Sequence, residues 1–159
     1  MPKPTPYLWF DTKGQVAAEF YCSVFPNSRI VKISKYGQAG PRPAGDVMTV
    51  EFELDGQRFV ALNGGPEFTF NEAVSFEIEC QDQAEVDRYW SALTADGGEE
   101  GPCGWVKDKF GLSWQVTPRR LNELIADPDQ SRGQRAMAAM LQMKKIDIAA
   151  VEAAADRTD

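Results

Sequence analysis

Apolar and polar positions alternate along the chain in two rhythms, one of period two and one near 3.6, and their order predicts its elements. Tyr7-Leu8-Trp9-Phe10 is a short aromatic strand closed by Asp11. Thr12 and Gln15 stand at capping-box spacing, with Thr12 at the cap. Val16, Ala17, Phe20, Tyr21 and Val24 follow at helical spacing until Pro26-Asn27-Ser28 stops them. Residues 29–36 read as a strand anchored by Ile30 and Ile33. Residues 37–46, with three glycines and two prolines, read as a loop. Residues 47–54 alternate strictly, placing Met48, Val50, Phe52 and Leu54 on one face and Val47, Thr49, Glu51 and Glu53 on the other. Asp55-Gly56 is a hairpin dipeptide, and the strand at 58–63 ends in Asn63-Gly64-Gly65-Pro66.

The order then repeats. Residues 73–80 alternate, with Val74, Phe76, Ile78 and Cys80 against Ser75, Glu77 and Glu79. Asp82 and Glu85 give a second capping pattern, before a helix to about residue 95 through Val86, Tyr89, Trp90 and Leu93. Short strands are expected at 99–101, 104–107 and 112–116. The helices VAAEFYCSVF and AEVDRYWSAL rhyme, as do ELDGQRFVAL and VKDKFGLSWQ. The reading is α+β: one domain over 1–159, with βαβββ modules at 5–66 and 73–117 and C-terminal helices at 118–155. In the tail, Thr117-Pro118 and Asp127-Pro128 read as caps followed by proline at the first helical position. Leu121, Leu124 and Ile125 form one apolar stripe; Met137, Met140, Leu141, Ile148 and Val151 are assigned to a following helix. Met137, Met140 and Met143 share helical spacing, and residues 153–159 are expected to fray.

Composition narrows the chemistry. The chain has no histidine, which removes His-based acid–base catalysis and every His-containing metal site. A net charge of −7 argues against nucleic acid or an anionic membrane as partner. Cys22, Cys80 and Cys103 form no paired motif, and neither a leader pattern nor an apolar run of the about 20 residues that span a bilayer is present, so a cytoplasmic protein is expected.

The candidate chemistry lies on the polar strand faces. Glu51, Glu53, Glu77 and Glu79, with Thr49, Ser75, Ser113 and Gln115, look into a cavity if each sheet curls, or into solvent if it stays open. A carboxylate-lined cavity favours a divalent or organic cation. Asn63 and Glu67 in Asn63-Gly64-Gly65-Pro66-Glu67-Phe68 either meet a ligand or merely turn the chain. Cys103 has no basic residue nearer in sequence than Lys107, so a packed or exposed thiol competes with a nucleophile. Trp9, Trp105 and Trp114 line an aromatic pocket or belong to the core. No G-x-G-x-x-G follows a strand, so dinucleotide or S-adenosylmethionine binding of the Rossmann type has no support.

Several of these segments together resemble one family. Trp9-Phe10-Asp11, Ala18-Glu19-Phe20-Tyr21 and Phe25-Pro26-Asn27-Ser28 are similar to the first module of the PhnB-like branch of the vicinal oxygen chelate superfamily, the glyoxalase/bleomycin-resistance fold. Leu62-Asn63-Gly64-Gly65-Pro66, Phe70-Asn71-Glu72-Ala73 and Glu99 to Trp105 strengthen the resemblance, as do Asp108 to Val116 and Met140 to Lys145. It implies paired βαβββ modules in U-shaped mixed sheets, and a homodimer. The group is often labelled 3-demethylubiquinone-9 3-methyltransferase, read here as a label because no element of the sequence forms a methyl-donor site.

Metal-dependent members of that superfamily place His or Glu on the outer strands of each module. Here residues 5–8 offer no ligand; Asn63, Ser75 and Gln115 stand at the other positions, and Glu67 replaces the histidine of a Gly-Gly-Pro-His-Phe segment. The reading is therefore a small-molecule-binding protein without the usual metal, its ligand among Trp9, Asn63, Glu67, Ser75, Trp105, Trp114 and Gln115. No cofactor is expected. The alternative is a lyase, isomerase or dioxygenase-like enzyme, with Glu67, Glu77 or Cys103 as catalytic candidates. Any divalent ion would then rest on Glu67, Glu51, Glu77 and Gln115.

Overall fold

Strand β1 (Tyr7–Phe10), helix α1 (Gly14–Val24) and strands β2 (Arg29–Lys35), β3 (Val47–Leu54) and β4 (Gln57–Asn63) build the first unit of the chain, Met1–Phe70. The structure is a computed structural model that describes residues 1–158. The strand order is β1-β4-β3-β2, with β1 parallel to β4 and the other pairs antiparallel. The alternation of β3 is realised: Val50, Phe52 and Leu54 are buried, and with Leu8, Phe10, Phe59 and Ala61 they form the face that α1 covers through Ala17, Ala18 and Tyr21. Tyr21 stacks on Phe52 at 6.2 Å, and Phe52 on Phe59 at 5.5 Å. Asp55 (φ 45°) and Gly56 (φ 80°) make the expected tight turn, in which both central residues are left-handed.

Two expectations in this unit are corrected. Thr12 does not cap α1. The N-cap is Lys13, whose side chain makes no capping bond, and the Gly14 amide donates to Asn63 Oδ1 at 2.7 Å. A Cβ on Gly14 would lie 2.7 Å from that oxygen, so only glycine allows the approach. Gln15 reaches forward to Glu19 (3.0 Å) instead of back to a cap. Strand β2 is an edge strand with no buried position; Ile33 is exposed, and the register against β3 shifts twice. An edge strand packs on one side only, so its isoleucines anchor less than their alternation implies.

The second unit, from Asn71 onward, repeats the plan with β5 (Ser75–Cys80), α2 (Gln83–Thr94), β6 (Glu99–Glu100), β7 (Trp105–Lys107) and β8 (Ser113–Pro118). Its order is β5-β8-β7-β6, again with the first and last strands parallel. Asp82 caps α2 by accepting from Glu85 N (2.9 Å), and the Glu85 carboxylate accepts from Gln81 N (2.8 Å). Val86, Tyr89, Trp90 and Leu93 are buried, as are Ile78, Cys80, Val106, Trp114 and Val116 on the sheet. Strand β5 starts at Ser75, and Val74 before it is exposed.

Helices α3 (Arg119–Ile125), α4 (Gln130–Met140) and α5 (Ile148–Ala155) complete this unit around Leu121, Leu124, Ala136, Ile146, Val151 and Ala155. Their caps differ from the expected ones. Thr117 and Pro118 belong to β8, and α3 has no side-chain cap. Asp129, not Asp127, caps α4, while Asp127 accepts from Asp129 N and Arg132 Nη1. Ile148 and Val151 lie on a separate helix capped by Asp147, and Met143 lies in the connection between α4 and α5. The chain does not fray at residue 153: the Ala155 carbonyl accepts two bonds from Arg135, at 3.0 and 2.8 Å. Asp159, the end of that stretch, lies outside the described residues. Among the described residues, no helix is long and apolar enough to cross a membrane.

Candidate functional site

Successive strand residues point to opposite faces, so Ser113 and Gln115 of β8 look away from the face that carries Trp114 and Val116. Register extends the polar face across the sheet. Ser75 and Glu77 of β5 lie beside Ser113 and Gln115, and on the other side Lys107 and Trp105 of β7 do the same. Glu99 of β6 lies beside Lys107. A cavity of about 360 Å³ opens here, walled by Ser113, Lys107, Trp105 and Glu99, by Glu72, and by the turn that joins β6 to β7.

Its electrostatics are set by one pair. Lys107 Nζ lies 2.5 Å from Glu72 Oε1. Their hydrogen bond holds the Glu72 carboxyl below its usual range and the Lys107 ammonium above its own, so both stay charged near neutrality. Gln115 Nε2 donates to Ser75 Oγ at 2.9 Å, which ties β8 to β5 beside the cavity. Ser113 is different. It is only 1% exposed and lines the cavity, between Ser75 and Lys107 of the neighbouring strands.

The first unit has its own cleft, about 300 Å³, lined by Thr12, Arg42, Asp46, Val47 and Asn63. Asn63 is already committed: Oδ1 accepts from Gly14 N, and Nδ2 donates to Val47 O at 3.2 Å. Trp9 is also held, donating from Nε1 to Gly65 O (2.9 Å) and packing edge-on against Phe68 at 5.0 Å. Gly64 lies over that indole, where a Cβ would overlap the ring. Glu67 is exposed beside Gly65. Glu51 pairs with Arg58 (2.5 Å) and Glu53 with Arg29 (3.1 Å).

A model of the 3-demethylubiquinone-9 3-methyltransferase family matches residues 2–117. The chain belongs to this PhnB-like family. A solved PhnB protein from Bacillus cereus that carries the same methyltransferase name is 34% identical, over 74% of this chain and 99% of that one, with a TM-score of 0.65. The protein PA1353 from Pseudomonas aeruginosa is 21% identical over 74% and 98%, with a TM-score of 0.61. The fosfomycin resistance protein FosX from Listeria monocytogenes shares the fold at 15% identity over 77% and 97%, with a TM-score of 0.53. No curated protein matches the chain. The fold is the glyoxalase/bleomycin-resistance-like one of the vicinal oxygen chelate superfamily, here with C-terminal helices.

The donors of this PhnB-like chain do not fit the superfamily's metal. Among the described residues, no three His, Cys, Asp or Glu side chains are grouped to hold an ion. Of the expected positions, Asn63 is spent as a cap and Ser75 and Gln115 bond each other. Glu51 is paired with arginine, and Glu67 and Glu77 are exposed. Neutral amides and a hydroxyl are weak partners for a hard dication. The family name implies a methyl donor, but the strand-to-helix connections Asp11-Thr12-Lys13 and Gln81-Asp82 are not the glycine-rich turn that cradles such a cofactor in doubly wound folds, and β8 runs into α3 with no turn between.

Of the sequence-predicted site residues, the second-unit cavity takes Trp105 and Cys103 into its lining and has Ser75 and Gln115 beside it. Trp114 is placed elsewhere, in the core, donating to Asp108 Oδ2 at 2.9 Å. Sequence reading set Ser113 on the right face without singling it out, and missed the Glu72–Lys107 pair. Its only local trace is the phase of Lys107, two residues from Trp105 on β7.

Proposed function

We propose that this chain binds a small organic molecule in the cavity of its second sheet, without a divalent ion. The observation that carries the reading is the cavity itself, about 360 Å³, lined by Trp105, Ser113 and the Glu72–Lys107 pair. The volume suits a small ligand, since such sites usually run from about 300 to about 1,000 Å³. Trp105 and Val106 supply apolar wall, and the Glu72–Lys107 pair supplies an acceptor and a donor. Glu72, Glu99 and Glu100 outnumber Lys107 around the lining, which favours neutral hydroxylated or cationic ligands over anions. In the same reading the protein is a cytoplasmic homodimer that holds its ligand rather than converting it. Its three free cysteines suit a reducing compartment.

Native mass spectrometry of protein purified without chelators tests this. The expected result is a dimer retaining an organic mass that is depleted in Trp105→Ala. Ser113→Ala, which removes one hydrogen bond worth about 1 kcal/mol, should weaken retention roughly fivefold. A stoichiometric divalent ion, or equal retention by both variants, overturns the reading.

A further inference from the structure

The turn from Gly101 to Trp105, which walls one side of the cavity, is held from outside the sheet. Within it Cys103 (φ 56°) and Gly104 (φ 83°) are consecutive left-handed residues, a conformation glycine adopts freely and cysteine resists. Their two amides find acceptors in the connection between α4 and α5: Cys103 N donates to Met143 O and Gly104 N to Lys144 O, both at 2.8 Å. That connection is clipped to the start of α2. Gln83 Nε2 donates to Ile146 O at 3.0 Å, and Gln83 Oε1 accepts from Ile148 N at 2.9 Å. Lys145 adds an ion pair with Asp87 at 2.7 Å. Ile146 is fully buried in the helical core, and a Cβ on Gly104 would lie 3.3 Å from its Cγ1. The family match ends at residue 117, so Met143 and Lys144 lie outside the matched part.

We propose that the α4–α5 connection is a strap that fixes the Cys103-Gly104 turn and thereby sets which molecules the cavity accepts. Met143 and Lys144 position the wall through their carbonyls, and Gln83 positions the strap. The turn cannot keep two left-handed residues with unpaired amides against the protein without these acceptors. The specificity part rests on the cavity reading above; the strap itself does not.

Residue-resolved amide hydrogen exchange on the full chain tests the strap without any ligand. In Gln83→Ala, the Cys103 and Gly104 amides should exchange at least tenfold faster, while those of Val86 and Leu112, held by Asp82 and Asp108, keep their rates. Ile148→Pro removes the other half of the clip, at the first position of α5, where proline is tolerated. It should speed the same two amides. If neither amide responds in either variant, or if all amides of the unit speed up together, the strap is overturned. Native mass spectrometry then reads the second part: the retained organic mass should fall in Gln83→Ala. Faster exchange with unchanged retention would overturn the specificity role and leave the strap standing. A wild-type chain that retains nothing would instead overturn the cavity reading, and the specificity role with it.

Discussion

Ser113, Trp114 and Gln115 are consecutive residues with three different roles, because a strand sends neighbours to opposite faces. Trp114 packs at 5.7 Å from Phe76 and donates to Asp108, while Ser113 and Gln115 look toward the cavity side. Asp108 is buried to serve a turn: Oδ1 accepts from Phe110 N (2.8 Å) and Leu112 N (3.1 Å), Oδ2 from Trp114. Alternation made these faces legible, whereas the cavity that Ser113 lines depends on neighbours from other strands. Cys80 illustrates a purely environmental property. Burial, aided by the charge of Glu85, pushes its thiol from 9.0 up to about 12. The folded value stands above the unfolded one, so this contribution to stability is complete below pH 9 and is lost as pH rises toward about 12. The stability advantage of wild type over Cys80→Ala should therefore shrink as pH rises from 9.0 toward about 12 in urea titrations. A difference that stays flat would show that the thiol ionises in place without cost.

At the scale of elements, local signals succeeded where both partners were local. Asp82 and Glu85 cap α2 because the groups they serve lie within four residues. The cap of α1 failed for the opposite reason: Asn63, from β4, reaches Gly14 across 49 positions of sequence. Asn63 is thus a joint between three elements, capping α1 and bonding the start of β3 through Val47 O. It is 6% exposed, so Asn63→Ala strands a donor and an acceptor away from water. The expected cost is about 2–3 kcal/mol, read from the denaturation midpoint, with the unfolding slope unchanged. A loss below about 0.5 kcal/mol would mean that water reaches both groups. Edge position explains β2 in the same terms, since its apolar residues have no second layer to bury them.

At the scale of the molecule, the absence of histidine and the charge of −7 narrowed the chemistry before any geometry was known. The carboxylates that sequence reading grouped as a ligand set are paired with arginines or exposed. Added Zn, Mn or Mg at micromolar levels should accordingly leave the thermal midpoint in place. A site filled to 100 times its Kd would add about 2.7 kcal/mol and a clear upward shift, which would overturn the misfit between these donors and a dication. The βαβββ order, its repetition and the addition of helices after residue 117 were all determined by the sequence itself. Periodicity, turn dipeptides and proline positions act within a few residues, and each unit repeats them. The tertiary structure alone decided which distant polar groups pair, which carboxylates are neutralised and what holds the cavity's turn. Those outcomes depend on contacts such as Gly14 with Asn63, Lys107 with Glu72 and Cys103 with Met143, which only the folded chain brings together.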